Sequence, residues 1–337
     1  MDETLHGTRN RRGYWAPKKL INRAPVFVWP IQPLKAFRYV FGFPGYIWPK
    51  NLAFVGLTFA AIEYLTPSLE TMRNFSVDWI SLILLRNAVL AFLMYGGLHF
   101  MLYVRRRQGT AFKYNEKWPE ANNSSFLFRS QTAENVFWTM CSGVPVWTAY
   151  EAVIWWMYAN GYIAHVDFTQ HPIYCVALLL LLPAYGGVHF YLTHRLIHMG
   201  PLYNLIHKVH HNNFNPGPWS GLSMHTFEHI IYFSLALFVL VVPSNPIHPM
   251  FLLTLYALHP AIGHLGFHAV RTRDGKFIDN DIYMHYLHHK YFEVNYGGEL
   301  HGLDWLFGTE HDGSPEGEEA MYRRIKAKKY VRGATAA

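Results

Sequence analysis

Histidine is the residue type in this 337-residue chain whose number and spacing indicate chemistry. The chain has 21 histidines, and 19 of them lie at or after His165. In His194-x-x-x-His198, a spacing of four places both imidazoles on one face of a helix, one turn apart. Spacings of one, three or four recur in three further groups: His207, His210 and His211; His264 and His268; and His285, His288 and His289.

These ten imidazoles predict a metal centre. Ten rings converging on a small volume would repel one another if protonated, whereas neutral rings bind metal through a ring nitrogen. One tetrahedral structural zinc uses four ligands, usually including thiolates, so ten imidazoles suit two ions of higher coordination number. Imidazole accepts zinc, copper, iron or nickel, and ligand type alone therefore does not choose the metal.

Some neighbouring residues compete for a place at this centre or support it. His225 and His229 form another pair spaced by four, and we favour His264 and His268 over them as ligands. A carboxylate that accepts a hydrogen bond from a ligand imidazole orients that ring. The candidate carboxylates are Glu228, Asp281 and Glu293, of which the last two fit solvated surface acids better.

The three histidine boxes resemble those of the sterol desaturase / fatty acid hydroxylase superfamily. The boxes are His194-x-x-x-His198, His207-x-x-His210-His211 and His285-x-x-His288-His289, followed by Asn295-Tyr296-Gly297 and the run from Leu303 to Thr309. The resemblance covers roughly residues 130–310. The chain departs from it at His189, where many relatives carry an acidic residue.

The resemblance implies a non-haem di-iron centre that uses O2 on a lipid substrate, at a site facing the cytoplasm. It carries the ligand role to all ten histidines: His194, His198, His207, His210, His211, His264, His268, His285, His288 and His289. It also implies an external electron donor, either a cytochrome b5-type protein or a ferredoxin with its reductase. The sequence itself contains no flavin or nicotinamide fingerprint.

The expected reaction is the hydroxylation or desaturation of an unactivated C–H position in a sterol or a fatty acyl chain. Such C–H bonds need a redox-active metal, which favours iron over zinc. A membrane metal transporter is one alternative, but it would carry its ionisable residues within the spans. A zinc-dependent membrane hydrolase is another, but the His-Glu-x-x-His motif is absent.

The elements that must position the histidines are apolar helices. Of the residues, 51% are hydrophobic and 15% charged, against about 25% charged in soluble domains. The sequence therefore predicts an all-α fold, a polytopic transmembrane helical bundle with a histidine-rich di-metal cap. Six apolar segments are expected near residues 52–65, 79–104, 136–158, 173–192, 230–242 and 247–265. Only the second, third and fourth reach the ~20 residues that a span needs.

Basic clusters give the expected orientation. If the segments form three hairpins and the amino terminus is cytoplasmic, Arg105–Arg107 and all the histidine groups face the cytoplasm. The net charge of +7 then fits anionic headgroups better than nucleic acid. Cys141 and Cys175 are expected as two buried thiols rather than a disulfide.

We expect four regions along the chain. They are an amino-terminal arm or interfacial segment (1–50), a transmembrane hairpin with a cytoplasmic loop (51–132), the catalytic domain (133–310) and a basic carboxy-terminal tail (311–337).

Overall fold

Helices make up most of the chain, as its long apolar segments predict. The computed structural model describes residues 3–280, 282–298 and 302–334. The α-helices are α1 (Pro33–Phe41), α2 (Leu52–Leu65), α3 (Val77–Ala91), α4 (Gly97–His99), α5 (Gln131–Trp138), α6 (Val144–Ala159), α7 (Pro172–Ile197), α8 (Gly200–Leu202), α9 (Lys208–His211), α10 (Thr226–Phe233), α11 (Ile247–Leu258), α12 (Pro260–Gly263), α13 (Tyr283–Tyr291), α14 (Gly302–Leu306) and α15 (Pro315–Ala334).

Shorter π-helical and 3-10 turns extend or join these helices. The π-helical turns are Ile47–Asn51, Phe92–Gly96, Phe100–Val104, Thr139–Gly143 and Tyr203–His207. The 3-10 turns are Glu3–Leu5, Pro25–Phe27, Thr71–Arg73, Leu127–Arg129, Pro218–Leu222 and Ser234–Leu240.

Two small antiparallel hairpins accompany the helices. They pair β1 (Gly7–Arg9) with β2 (Trp15–Pro17), and β3 (Ala269–Arg271) with β4 (Phe277–Asp279). Buried Trp15 and Ala269 belong to one apolar cluster with Tyr286 and Leu287 of α13. Both hairpins therefore support α13, the helix that carries the last group of histidines.

Two helices are long and apolar enough to cross a membrane. They are the continuous run Val77–Val104, of 28 residues, and α7, of 26 residues. At ~1.5 Å per residue, each exceeds the ~30 Å hydrocarbon thickness. Only 28% and 17% of their most apolar windows are buried inside the protein. Their apolar side chains thus face outward, as lipid contact requires and as the core of a soluble protein would not allow.

The other predicted segments differ from these two. Among the described residues no further helix meets both conditions, and Thr226–Leu240 and Ile247–Gly263 are apolar but shorter. The third segment lies in the run 131–159, where α6 turns a buried face toward the core. Whether this segment and the first, fifth and sixth cross a membrane remains a prediction.

A buried ion pair joins α3 to α6. Arg86 and Glu151 form an ion pair, and their side chains are 7% and 2% exposed. Arg86 also donates to the Thr66 hydroxyl at 2.7 Å.

The two cysteines are free thiols that differ in burial, because Cys175 is buried and Cys141 is exposed. The prediction of two buried thiols is therefore wrong for Cys141, which lies on the outer side of the π-helical turn Thr139–Gly143.

Candidate metal centre

Four helical segments bring the histidines together. His194 lies in the last turn of α7, and His198 caps that helix with its backbone N–H on the His194 carbonyl. The π-helical turn Tyr203–His207 and α9 supply the second group. His264 caps α12 and the last group lies on α13. Turns of the π-helical type are frequent at functional sites.

Nine of the ten predicted histidines form two adjoining clusters. The five-histidine cluster consists of His194, His198, His207, His211 and His288, and the four-histidine cluster of His210, His264, His285 and His289. Within each cluster, one ligand nitrogen from every ring lies within 4.8 Å of the others. All of these rings are buried except those of His198 and His285, which are half-buried.

Adjacent histidines are divided between the two clusters. His210 and His211 are neighbours in α9, and His288 and His289 are neighbours in α13. Successive residues of a helix point about 100° apart, so each pair reaches one cluster with one ring and the other cluster with the next. The ring centroids of His211 and His289, one from each cluster, are 5.0 Å apart. The doublets thus hold the two clusters side by side.

The Nε2 atoms of the five-histidine cluster form a chain of four close contacts. His207 lies 3.1 Å from His194 and 3.0 Å from His198. His211 lies 3.1 Å from His198 and 3.1 Å from His288. In the four-histidine cluster, the Nε2 atom of His264 is 3.3 Å from His210, 3.1 Å from His289 and 2.8 Å from His285.

Protons alone cannot satisfy these nitrogen contacts. Nδ1 of His194 donates to the Tyr296 carbonyl at 2.6 Å, and Nδ1 of His288 donates to the Val294 carbonyl at 2.6 Å. Because a carbonyl only accepts, the Nε2 atom of each of these two neutral rings carries a lone pair. The other three rings supply at most three N–H groups for four contacts, so at least one contact opposes two lone pairs. A cation at the centre would stabilise all five.

The nitrogen spacings also fit a metal polyhedron. For a metal–nitrogen bond of about 2.1 Å, neighbouring ligands lie about 3.0 Å apart in an octahedron and about 3.4 Å apart in a tetrahedron. The contacts of 3.0 and 3.1 Å in the five-histidine cluster match octahedral edges. Five such ligands leave one position for a small molecule. The five-histidine cluster therefore fits an ion of high coordination number better than a closed zinc site.

Burial keeps the clustered imidazoles neutral. It is the largest cause that lowers the pKa of His207, His211 and His288 well below the ordinary value of 6.5, and repulsion from neighbouring rings lowers each pKa further. The same two causes act on His285 and His289. Neutral rings have a free lone pair at pH 7, which is the form that binds metal.

Glu228 orients one ring of the five-histidine cluster. Its Oε1 lies 2.7 Å from Nδ1 of His207, and both side chains are almost fully buried. Burial raises the pKa of Glu228 and lowers that of His207, so the contact is a hydrogen bond that shares one proton. A cation on Nε2 of His207 would favour Nδ1–H donating to the carboxylate. His189, where the resemblance leads one to expect an acid, instead contacts the Ser234 hydroxyl at 2.9 Å.

A loop after α13 supplies acceptors that the histidine pattern did not reveal. It is the loop whose Val294 and Tyr296 carbonyls accept from the rings of His288 and His194. Asp304 holds it by accepting from the backbone N–H groups of Tyr296 and Gly297 at 2.9 and 2.7 Å. In the sequence, only the runs Asn295–Gly297 and Leu303–Thr309 pointed to this loop. The first run forms part of the loop, and the second contains Asp304, which anchors it.

His268 is the predicted ligand that does not join either cluster. Its Nδ1 lies 3.2 Å from the Tyr114 hydroxyl, and its Nε2 lies 3.6 Å from Asp279. The helical spacing from His264 does not apply, because α12 ends at Gly263 and the chain turns through Gly266 at φ +76°.

The alternative pair, His225 and His229, is not among the clustered histidines. His229 uses both ring nitrogens, on the Ser142 hydroxyl at 2.9 Å and the Leu222 carbonyl at 3.1 Å. His225 caps α10 by accepting from the Phe227 N–H. Glu293 lies near the Tyr296 hydroxyl at 3.5 Å, and Asp281 lies outside the described residues.

A cavity of about 560 Å³ opens onto both clusters. Five of the clustered rings border it: His194, His207, His210, His264 and His285. Along α7 it follows one helical face through Pro183, Gly187, Phe190 and His194, about 16 Å at ~1.5 Å per residue. Its volume lies within the ~300–1,000 Å³ typical of small-molecule sites.

Comparison with known proteins independently supports the resemblance that the histidine boxes indicate. Residues 178–309 match the family model described as fatty acid hydroxylase. A Delta(7)-sterol 5(6)-desaturase of Aspergillus fumigatus is 29% identical over 40% of this chain and 49% of its own length. A Delta(7)-sterol-C5(6)-desaturase of Nicotiana tabacum is 26% identical over 70% of this chain and 86% of its own. A fatty acid hydroxylase domain-containing protein 2 of Macaca fascicularis is 32% identical over 36% of each.

The chain thus spans about half the length of the Aspergillus fumigatus relative. No solved structure matches the chain. The family match covers all nine clustered histidines and the loop that accepts from His194 and His288. In these matches and in this arrangement of histidines, the chain is similar to proteins of the sterol desaturase / fatty acid hydroxylase superfamily.

Proposed function

We propose that the chain is a membrane-bound, O2-dependent di-iron oxidoreductase that hydroxylates or desaturates an unactivated C–H position of a lipid. The observation that carries the proposal is the pair of adjoining nitrogen clusters, of five and four histidines, that border the cavity along α7. The relatives named as sterol desaturases support a lipid substrate, either a sterol or a fatty acyl chain.

Two irons in these clusters would supply the oxidising power that protein side chains lack. The chain's own residues would do three things. The ligand rings, oriented by Glu228 and by the Val294 and Tyr296 carbonyls, would fix the geometry of the centre. The cavity would hold the lipid beside it, and the apolar α7 face would exclude water from the oxidised position.

The overall reaction also needs electrons from outside. Hydroxylation consumes O2, two electrons and two protons, and yields an alcohol and water. Desaturation consumes the same reagents and yields an alkene and two waters. We propose a one-electron donor protein, of the cytochrome b5 type or a ferredoxin with its reductase. We further propose that the chain is a multi-pass protein whose metal centre faces the cytoplasm, because the basic run Arg105–Arg107 follows the span Val77–Val104.

Lipid mass spectrometry of cells with and without the chain tests this function. A gain of one oxygen identifies a hydroxylase and a loss of two hydrogens a desaturase. His211→Ala is the matched variant, since His211 contacts two other ligand rings in the five-histidine cluster. We expect this variant to lose both iron and product. An unchanged lipid profile with the wild-type chain, expressed with its metal and a donor system, would contradict the proposal.

A further inference from the structure

One stretch of the chain exposes far more apolar surface than a water-facing segment would. We call residues Trp29–Trp48 the strap. Trp29 and Phe43 are 82% and 80% exposed, and the other strongly exposed apolar side chains are Ile31, Leu34, Phe37 and Phe41. The strap contains two basic residues, Lys35 and Arg38, and no acidic residue. Exposed aromatic side chains with only positive charge are typical of segments that lie in lipid near anionic headgroups.

The strap lies against the side of a candidate membrane span. The Tyr46 hydroxyl donates to the Leu180 carbonyl of α7 at 2.8 Å. Leu181, the next residue of α7, is 63% exposed. Leu180 lies 14 residues before His194, about 21 Å away along the helix at ~1.5 Å per residue. The strap therefore reaches well along the lipid-facing length of α7, and its exposed surface is continuous with that of the span.

The inner side of the same strap forms part of the cavity wall. Tyr39, Gly45 and Tyr46 line the cavity that leads along α7 to the ligand rings. The strap closes on itself there, because the Tyr46 N–H donates to the Tyr39 carbonyl at 2.7 Å and the Gly45 N–H to the Trp48 carbonyl at 2.7 Å. One thin layer of chain thus separates the exposed apolar surface from the cavity.

We propose that the strap is embedded in the bilayer and is the gate through which a lipid passes sideways from the membrane into the cavity. The occupant of its outer surface is the bilayer, with Lys35 and Arg38 near anionic headgroups. The inference rests on the proposed function only for the identity of the lipid that enters the cavity. The contact with lipid, however, is testable without metal or turnover.

Depth-dependent quenching tests the contact with the bilayer. Phe37→Cys in a Cys141→Ser background, labelled with an environment-sensitive fluorophore, is reconstituted in nanodiscs that contain spin-labelled phosphatidylcholine. Leu181→Cys on the span and Lys276→Cys, whose side chain is 82% exposed on a hairpin, are the matched controls. We expect quenching at position 37 within about twofold of that at 181. Quenching as weak as at 276 would overturn the proposal.

Loosening the strap tests the gate. Tyr46→Phe removes the hydrogen bond to Leu180 and keeps the ring. One hydrogen bond of ordinary strength corresponds to about fivefold in an equilibrium, so exchange of a spin-labelled fatty acid or sterol between bilayer and cavity should accelerate about fivefold. Tyr64→Phe, an exposed tyrosine of α2, is the control. Unchanged exchange in Tyr46→Phe would refute the gate. Strong quenching and faster exchange without any oxidised lipid would contradict only the proposed function.

Discussion

Replacement of Glu228 by alanine should weaken metal binding at the five-histidine cluster specifically. The carboxylate lies 2.7 Å from Nδ1 of His207, and both groups are shielded from water. A hydrogen bond to a charged group contributes about 1.5–3 kcal/mol. Removal of a partner that orients a ligand imidazole typically costs about 10- to 100-fold in metal affinity, or about 1.4–2.7 kcal/mol. The two magnitudes agree, so we expect a loss in that range at one of the two sites.

A chelator-competition titration of iron on the purified, detergent-dispersed chain measures this loss. The four-histidine cluster has no contact with Glu228, so one of the two binding steps should stay close to wild type. Glu228→Gln keeps the volume and an acceptor oxygen, and we expect a smaller loss than in the alanine variant. Glu116→Ala, in an exposed loop, controls for removal of negative charge. Wild-type affinity at both steps in a folded Glu228→Ala variant would refute the reasoning.

Three further predictions concern other parts of the fold. His268→Ala should keep the wild-type iron content, because its ring contacts Tyr114 rather than the clusters; loss of one iron would contradict that placement. The metal-free chain should lose stability as the pH falls below about 6.5 in thermal melts, since rings such as His288 have a lowered folded-state pKa and only the unfolded chain gains their protons; a melting temperature constant to pH 5 would contradict this. Glu151→Leu should lower the free energy of unfolding by about 3–5 kcal/mol, because it leaves Arg86 buried without its charge partner. Unfolding of the detergent-solubilised chain measures this change, and a loss below about 1 kcal/mol would show that the ion pair is dispensable.

The arrangement of the histidines was predictable where helices continue. A spacing of four placed His194 beside His198 and His285 beside His289, and the structure brings these pairs together. The pairs spaced by three, His207 with His210 and His285 with His288, are instead divided between the two clusters. The same rule failed to bring His268 to the clusters, because Gly266 turns the chain after α12. That these rings bind iron remains a prediction.

Other features of the site depend on tertiary structure that spacing does not encode. Division of the doublets between two clusters depends on where α9 and α13 meet. The carbonyls of Val294 and Tyr296 belong to the backbone, and no residue type marks a carbonyl that will accept from a ring. Glu228 was a candidate from its position, but its pairing with His207 required the packing of α10 against the π-helical turn Tyr203–His207.

The candidate membrane helices were predictable from composition only in part. The segments near residues 79–104 and 173–192 form the two long apolar helices. The segment near 136–158 was expected to be equivalent, yet α6 buries Trp147, Glu151 and Trp155 against other helices. A long apolar segment indicates that a helix is shielded from water, but the packing of neighbouring helices determines whether lipid or protein covers it.

The metal content of the purified chain tests the central claim most directly. Protein expressed with iron, purified without chelators and analysed by elemental mass spectrometry alongside Mössbauer spectroscopy should contain about two irons per chain in nitrogen-rich, high-coordinate sites. His288→Ala and His289→Ala, which remove neighbouring rings from different clusters, should each reduce that content. One metal per chain, or stoichiometric zinc after expression with abundant iron, would contradict a di-iron centre built from these nine histidines.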